Sequence, residues 1–252
     1  MKKVMILFSL SILFFGCAKE WGNPTTKNYP VNGSFTELEV SDAFEVTVSD
    51  QVNDVVVTVG EKAHAYVIVK VVDGELQIGL KPGTLYTGKA TAVIPANPNL
   101  KGIDLSGASS FTGNLNSHDV DLDLSGASLF NGNVEADALD LDLSGSSHFN
   151  GTVDADALDL DISGASEVQI NGFCQNKMKI NITGASNLKA AALETQSVVG
   201  TMSGASNADV TVCTLLNVEL SGACNLIYGV VSADCHPDIN CPSSGGSTVR
   251  PR

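Results

Sequence analysis

Three blocks of strict polar–apolar alternation stand in the middle of the chain: Asp121-Leu122-Asp123-Leu124, Asp140-Leu141-Asp142-Leu143 and Asp159-Leu160-Asp161-Ile162. A period of two marks a strand with one face buried and one face wet. A second, shorter strand is expected around Phe111, Phe130 and Phe149. Turn pairs then close each unit at Thr112-Gly113, Asn131-Gly132 and Asn150-Gly151. No segment carries the 3.6-residue periodicity of an amphipathic helix.

The unit recurs. Ser106-Gly107-Ala108-Ser109 returns in register with Gly126, Gly145, Gly164, Gly184, Gly204 and Gly222, at steps of 19, 19, 19, 20, 20 and 18 residues. A short period built from strands and turns predicts a parallel β-helix with one coil per repeat, about 19–20 residues each. The expected fold class is therefore all-β: a single-stranded right-handed parallel β-helix, its hand taken from the usual crossover rule. Leu105, Leu124, Leu143, Ile162, Ile182, Met202 and Leu220 should stack inside as one column. Phe111, Phe130 and Phe149, continued by Val168 and Leu188, should form another. The repeated glycine is expected at a corner closed to other residues. The serines beside it have no His or Lys at a matched offset to activate them, so they read as structural.

Residues 33–100 are less regular. Strand-like runs such as Val55–Val59, Val67–Val71 and Leu76–Leu80 are separated by turn residues, and they read as a cap or first coils. The domain is expected over 33–230, with residues 101–230 as the regular coils.

Both ends have their own character. Lys2 and Lys3 precede an apolar run, Val4–Phe15, which is too short to span a bilayer comfortably and fits a signal peptide over residues 1–16. Gly16-Cys17 resembles a lipoprotein processing site, with Cys17 acylated. Residues 17–32, rich in Asn, Thr, Pro and Gly, read as a linker holding the domain away from the lipid surface. Residues 231–252 read as a flexible, Cys-containing tail. Cys235 and Cys241 make the best candidate disulfide, and Cys224, at a ladder serine position, should be a small buried residue.

The order of a Phe35-Thr36-Glu37-Leu38-Glu39-Val40 strand, a Gly74-Glu75-Leu76-Gln77-Ile78 strand, Ile94-Pro95 with Leu100, and then the glycine ladder resembles the putative auto-transporter adhesin family with the head-GIN domain. The resemblance covers roughly residues 33–230. It implies a pectin-lyase-type β-helix, often secreted or lipid-anchored, acting in adhesion without a known catalytic site.

Charge narrows the function classes. With 14 Lys and Arg against 28 Asp and Glu, the net charge is −14, which excludes general nucleic-acid binding. Between Gly102 and Asn176 stand 13 acidic residues and no Lys or Arg. Two columns follow from the period: Asp121, Asp140, Asp159, and Asp104, Asp123, Asp142, Asp161, the latter continuing to Asn181, Thr201 and Glu219. Calcium, which takes several oxygen ligands, is the cation such an array would suit; a solvated face is the reading we favour, and no cofactor is expected.

A lyase is disfavoured because the only arginines are Arg250 and Arg252, and His64, His118 and His148 are scattered, each reading as an exposed turn residue. A platform for sugars is weakly signalled, with Trp21 in the linker and Tyr66, Tyr86 and Tyr228 dispersed. The sequence thus predicts a non-catalytic outer-membrane lipoprotein of a Gram-negative cell, facing outward or into the periplasm. It would offer a rigid acidic surface to an unidentified protein or glycan. Alternatives are a carbohydrate-binding or carbohydrate-active β-helix and a periplasmic structural protein.

Overall fold

A computed structural model describes residues 20–252, so the signal segment and Cys17 lie outside the described residues. The chain folds as a parallel β-solenoid with no α-helix among the described residues. Among the described residues, nineteen strands join in one continuous sheet.

Strands β1 (Pro24–Tyr29), β2 (Glu37–Val40), β3 (Phe44–Ser49), β4 (Val55–Gly60), β5 (Val67–Val72), β6 (Glu75–Leu80) and β7 (Ala90–Pro95) build the N-terminal end, with a short 3-10 helix at Glu61–Ala65. Its order is not the order of the chain. β2 pairs in parallel with β6 on one side and with β8 (Gly102–Leu105) on the other. β3 likewise lies between β7 and β9 (Ser110–Thr112). The later pair β6–β7 is therefore folded back to become the outermost coil. Antiparallel pairings of β5 on β6, β4 on β7 and β1 on β4 then close that end. Antiparallel edges stop the parallel stack from recruiting another coil.

Beyond the cap the coils repeat: β10 (Leu115–Leu124), β11 (Leu129–Asn131), β12 (Val134–Leu143), β13 (His148–Ile162), β14 (Glu167–Ile182), β15 (Asn187–Met202), β16 (Asn207–Leu220) and β17 (Asn225–Val230). Registers connect like with like, as in Leu122↔Leu141, Leu141↔Leu160 and Leu160↔Ile180. No coil can bury its own apolar side, and stacking does so for all of them. The column from Leu105 to Leu220 is entirely buried. Phe111, Phe130 and Phe149 stack with centroids 5.5 and 5.0 Å apart and nearly parallel rings.

The corner explains the glycine. Gly107, Gly126, Gly145, Gly164, Gly184, Gly204 and Gly222 all have positive φ, between 72° and 92°. A Cβ at Gly126 would also lie 2.4 Å from the carbonyl oxygen of Gly107 below it. That carbonyl accepts a 2.7 Å hydrogen bond from the Ala127 amide, and the same bond recurs at each coil. The last residue of each motif points inward: Ser128, Ser147, Ser186 and Ser206 are buried and donate to the carbonyl three residues back, at 2.6–2.8 Å. These four buried hydroxyls are thereby satisfied without water, whereas the Ser109 and Ser166 hydroxyls are buried with no hydrogen-bond partner. Cys224 takes the same place, its Sγ 3.2 Å from the Ser221 oxygen.

Three sequence expectations are corrected. Within the expected linker, residues 24–29 form β1, and Trp21 is buried edge-on between Tyr66 and Tyr86, at 5.7 and 5.4 Å. The aromatic cluster supplies the burial that composition alone did not suggest. The expected flexible tail is the last coil, with β18 (Asp238–Asn240) on β16 and β19 (Thr248–Pro251) on β17. Ser244-Gly245-Gly246-Ser247 is an eighth copy of the corner: Gly245 has φ +71°, and the Gly246 amide donates to Gly222 at 2.7 Å.

The third correction concerns the disulfide. It joins Cys213 to Cys235, not Cys235 to Cys241. Their separation of 22 residues is about one coil, so stacking brings them together, with Cα atoms 4.7 Å apart. β18 lies between Cys235 and Cys241 and carries Cys241 along the coil edge, where its Sγ meets the Leu216 carbonyl at 3.8 Å.

Candidate functional site

The face with chemistry is the outer side of the alternating strands. Alternation sends Leu and Ile inward, so each Asp must point out. Register then aligns Asp104, Asp123, Asp142 and Asp161 in one column and Asp121, Asp140 and Asp159 in the next. Successive coils lie about 4.8 Å apart, a short distance for like charges.

The cap extends both columns. Glu39 pairs in register with Asp104, and Glu37 stands beside Gly102. Sequence reasoning missed these two, although Glu37-Leu38-Glu39-Val40 carries the same alternation as the Asp blocks. At the other end Asp159 is followed in register by Lys179, whose Nζ is 2.6 Å from the Asp159 carboxylate. Because Gly102 supplies no side chain between Glu37 and Asp121, a groove of about 490 Å³ opens there. Glu75, Lys101, Asp104 and Asp140 help to line it.

Crowding raises the proton affinity of these carboxyls. Asp142 is pushed from 3.8 to about 6, first by desolvation and then by Asp123, Asp140, Asp161 and Asp121. Glu39, Asp104, Asp121 and Asp140 are also raised, in each case first by desolvation and then by neighbouring carboxylates. Lys101 opposes the rise at Asp121, and Lys179 opposes it at Asp140. Burial of the charged form and like-charge repulsion act in the same direction here.

Among the described residues, no group of three or more His, Cys, Asp and Glu is placed to hold a metal ion. The outward carboxylates lie along a face and do not converge. Any metal site using Cys235 as a thiolate is excluded by its disulfide. His118 is exposed within β10, not in a turn, and lies 2.7 Å from Asp137, while His148 is exposed at the start of β13. His64 departs from expectation: it is buried, with Nδ1 2.9 Å from the Tyr29 hydroxyl and Nε2 2.9 Å from the Thr25 carbonyl. It ties β1 to the 3-10 helix.

Fold and site together define an acidic parallel β-solenoid in which four of the buried ladder hydroxyls donate to its own backbone. The family model described as Putative auto-transporter adhesin, head GIN domain matches residues 34–229, and the chain belongs to that family. Among solved structures it is similar to a putative adhesin from Parabacteroides merdae ATCC 43184, with 20% identity over 92% of this chain and 98% of that one, and a TM-score of 0.82. A putative adhesin from Parabacteroides distasonis ATCC 8503 has 23% identity, the same coverages and a TM-score of 0.79. A putative lipid binding protein from the same organism has 17% identity over 92% of this chain and 97% of that one, and a TM-score of 0.74. At these identities the likeness is one of fold. No curated protein sequence matches the chain significantly.

Proposed function

We propose that this protein is a non-catalytic scaffold of the cell envelope, anchored by lipid at Cys17, that offers its acidic face to a cationic partner surface. The supporting observation is the column Glu39, Asp104, Asp123, Asp142, Asp161. Five successive coils present a carboxylate there with no Lys or Arg in the column. A rigid row of like charge steers encounter and fixes register with a complementary surface, and salt weakens both effects. A lysine- or arginine-rich protein surface has the matching chemistry. Catalysis is a poor fit because the outward carboxylates lie in rows along an open face and do not converge on a common point.

Protease digestion and antibody labelling of intact cells test the adhesive role. Exposure of the coils on unpermeabilised cells is expected. Protection until the outer membrane is opened would remove adhesion and leave a periplasmic scaffold.

A further inference from the structure

Trp21 is the first buried residue of the described chain, only four positions after Cys17. A fully extended chain gains at most about 3.5 Å per residue, so the Cys17 and Trp21 backbones lie no more than ~14 Å apart. Trp21 is fixed to the cap: its carbonyl accepts from the Lys62 amide at 3.0 Å, and its ring packs edge-on against Tyr86 at 5.4 Å.

Tyr86 belongs to the loop Lys81-Pro82-Gly83-Thr84-Leu85-Tyr86-Thr87-Gly88-Lys89, which connects β6 and β7. Leu85, beside Tyr86, is 80% exposed, the most exposed large hydrophobic side chain among the described residues. The loop is held from beneath. The Tyr86 hydroxyl accepts from the Gly60 amide at 2.8 Å, and the Lys81 ammonium donates to the Ala65 carbonyl at 2.8 Å. An exposed leucine thus stands on a braced loop whose next residue, Tyr86, packs on Trp21, four positions from Cys17.

We propose that the 81–89 loop is a membrane-contacting surface, with Leu85 entering the lipid headgroup region and the N-terminal cap resting on the bilayer. The occupant is the lipid surface itself. This rests on acylation of Cys17, and it reverses the expectation that residues 17–32 hold the domain away from the membrane. With the cap against the lipid, the acidic coils are the part turned away from it. A single leucine adds little affinity beside acyl chains, so its effect is on orientation.

The test uses the full acylated protein in phospholipid vesicles, in a Cys241→Ser background so that the remaining free thiols, Cys174 and Cys224, are buried. A polarity-sensitive dye is attached at Leu85→Cys and, as the comparison, at Glu135→Cys, three coils or ~14 Å further along the axis. Flotation with the vesicles and the mass of the Cys17 peptide report the anchor independently. Expected are a blue shift and a several-fold loss of iodide quenching at position 85 with neither at position 135. Flotation with a fully quenched label at position 85 overturns the membrane-contacting loop and leaves the anchor standing. Failure to float, with unmodified Cys17, overturns the anchor and the loop together.

Discussion

Asp142→Asn is the sharpest probe of the acidic face. Asp142 lies in register between Asp123 and Asp161, with Asp140 and Asp121 nearby. Folding raises its pKa from 3.8 to about 6. Well below pH 3.8 the carboxyl is protonated in both folded and unfolded chains, and nothing is lost. As pH rises through 6 the folded chain must ionise a group that the unfolded chain ionises more easily, so stability falls. At face value the change from 3.8 to about 6 corresponds to about 3 kcal/mol. The side chain is exposed, and screening by water and salt reduces this to about 1 kcal/mol. Asn keeps the shape and removes the charge. Asp142→Asn should therefore be more stable than the parent by about 1 kcal/mol at pH 8 in low salt. The gain should fall as pH drops from 6 toward 3.8, vanish well below 3.8, and shrink in molar salt. Urea denaturation of both chains across that pH range measures it. A variant that is less stable at pH 8, or a difference independent of pH, would refute the claim that the column repels itself.

Three further outcomes are expected. Gly126→Ala combines a positive φ with a Cβ 2.4 Å from the Gly107 carbonyl oxygen, and should cost about 2–4 kcal/mol through strain and a weakened amide bond; a loss within experimental error in urea melts would show that the corner can relax. Phe130→Ala opens the ring stack between Phe111 and Phe149 and should cost about 3–5 kcal/mol by the same assay. Reducing Cys213–Cys235 frees a 22-residue loop, costs about 3 kcal/mol and should speed hydrogen exchange in β18 and β19 ahead of β13. Uniform exchange across those strands would mean that the last coil does not depend on the bond.

The sequence by itself determined the coil. A period of two inside a period near 19 leaves one arrangement in which every Leu faces inward and every coil covers the next, so the regular columns, the corner glycines and the acidic face are legible from residues 101–230. It also held signals that were passed over: Ser244-Gly245-Gly246-Ser247 for the eighth corner, Glu37-x-Glu39 for the extended columns, and a 22-residue spacing for the disulfide. Only the tertiary structure decided the ends. The return of β6–β7 beneath β2–β3 sets Glu39 against Asp104, and no local pattern encodes a contact across 65 residues. Trp21 reads as linker because its burial comes from Tyr66 and Tyr86, residues distant in the chain. Repeats write their contacts at a fixed offset and can be counted. Caps break the repeat in order to end it, and their contacts exist only once the chain has folded.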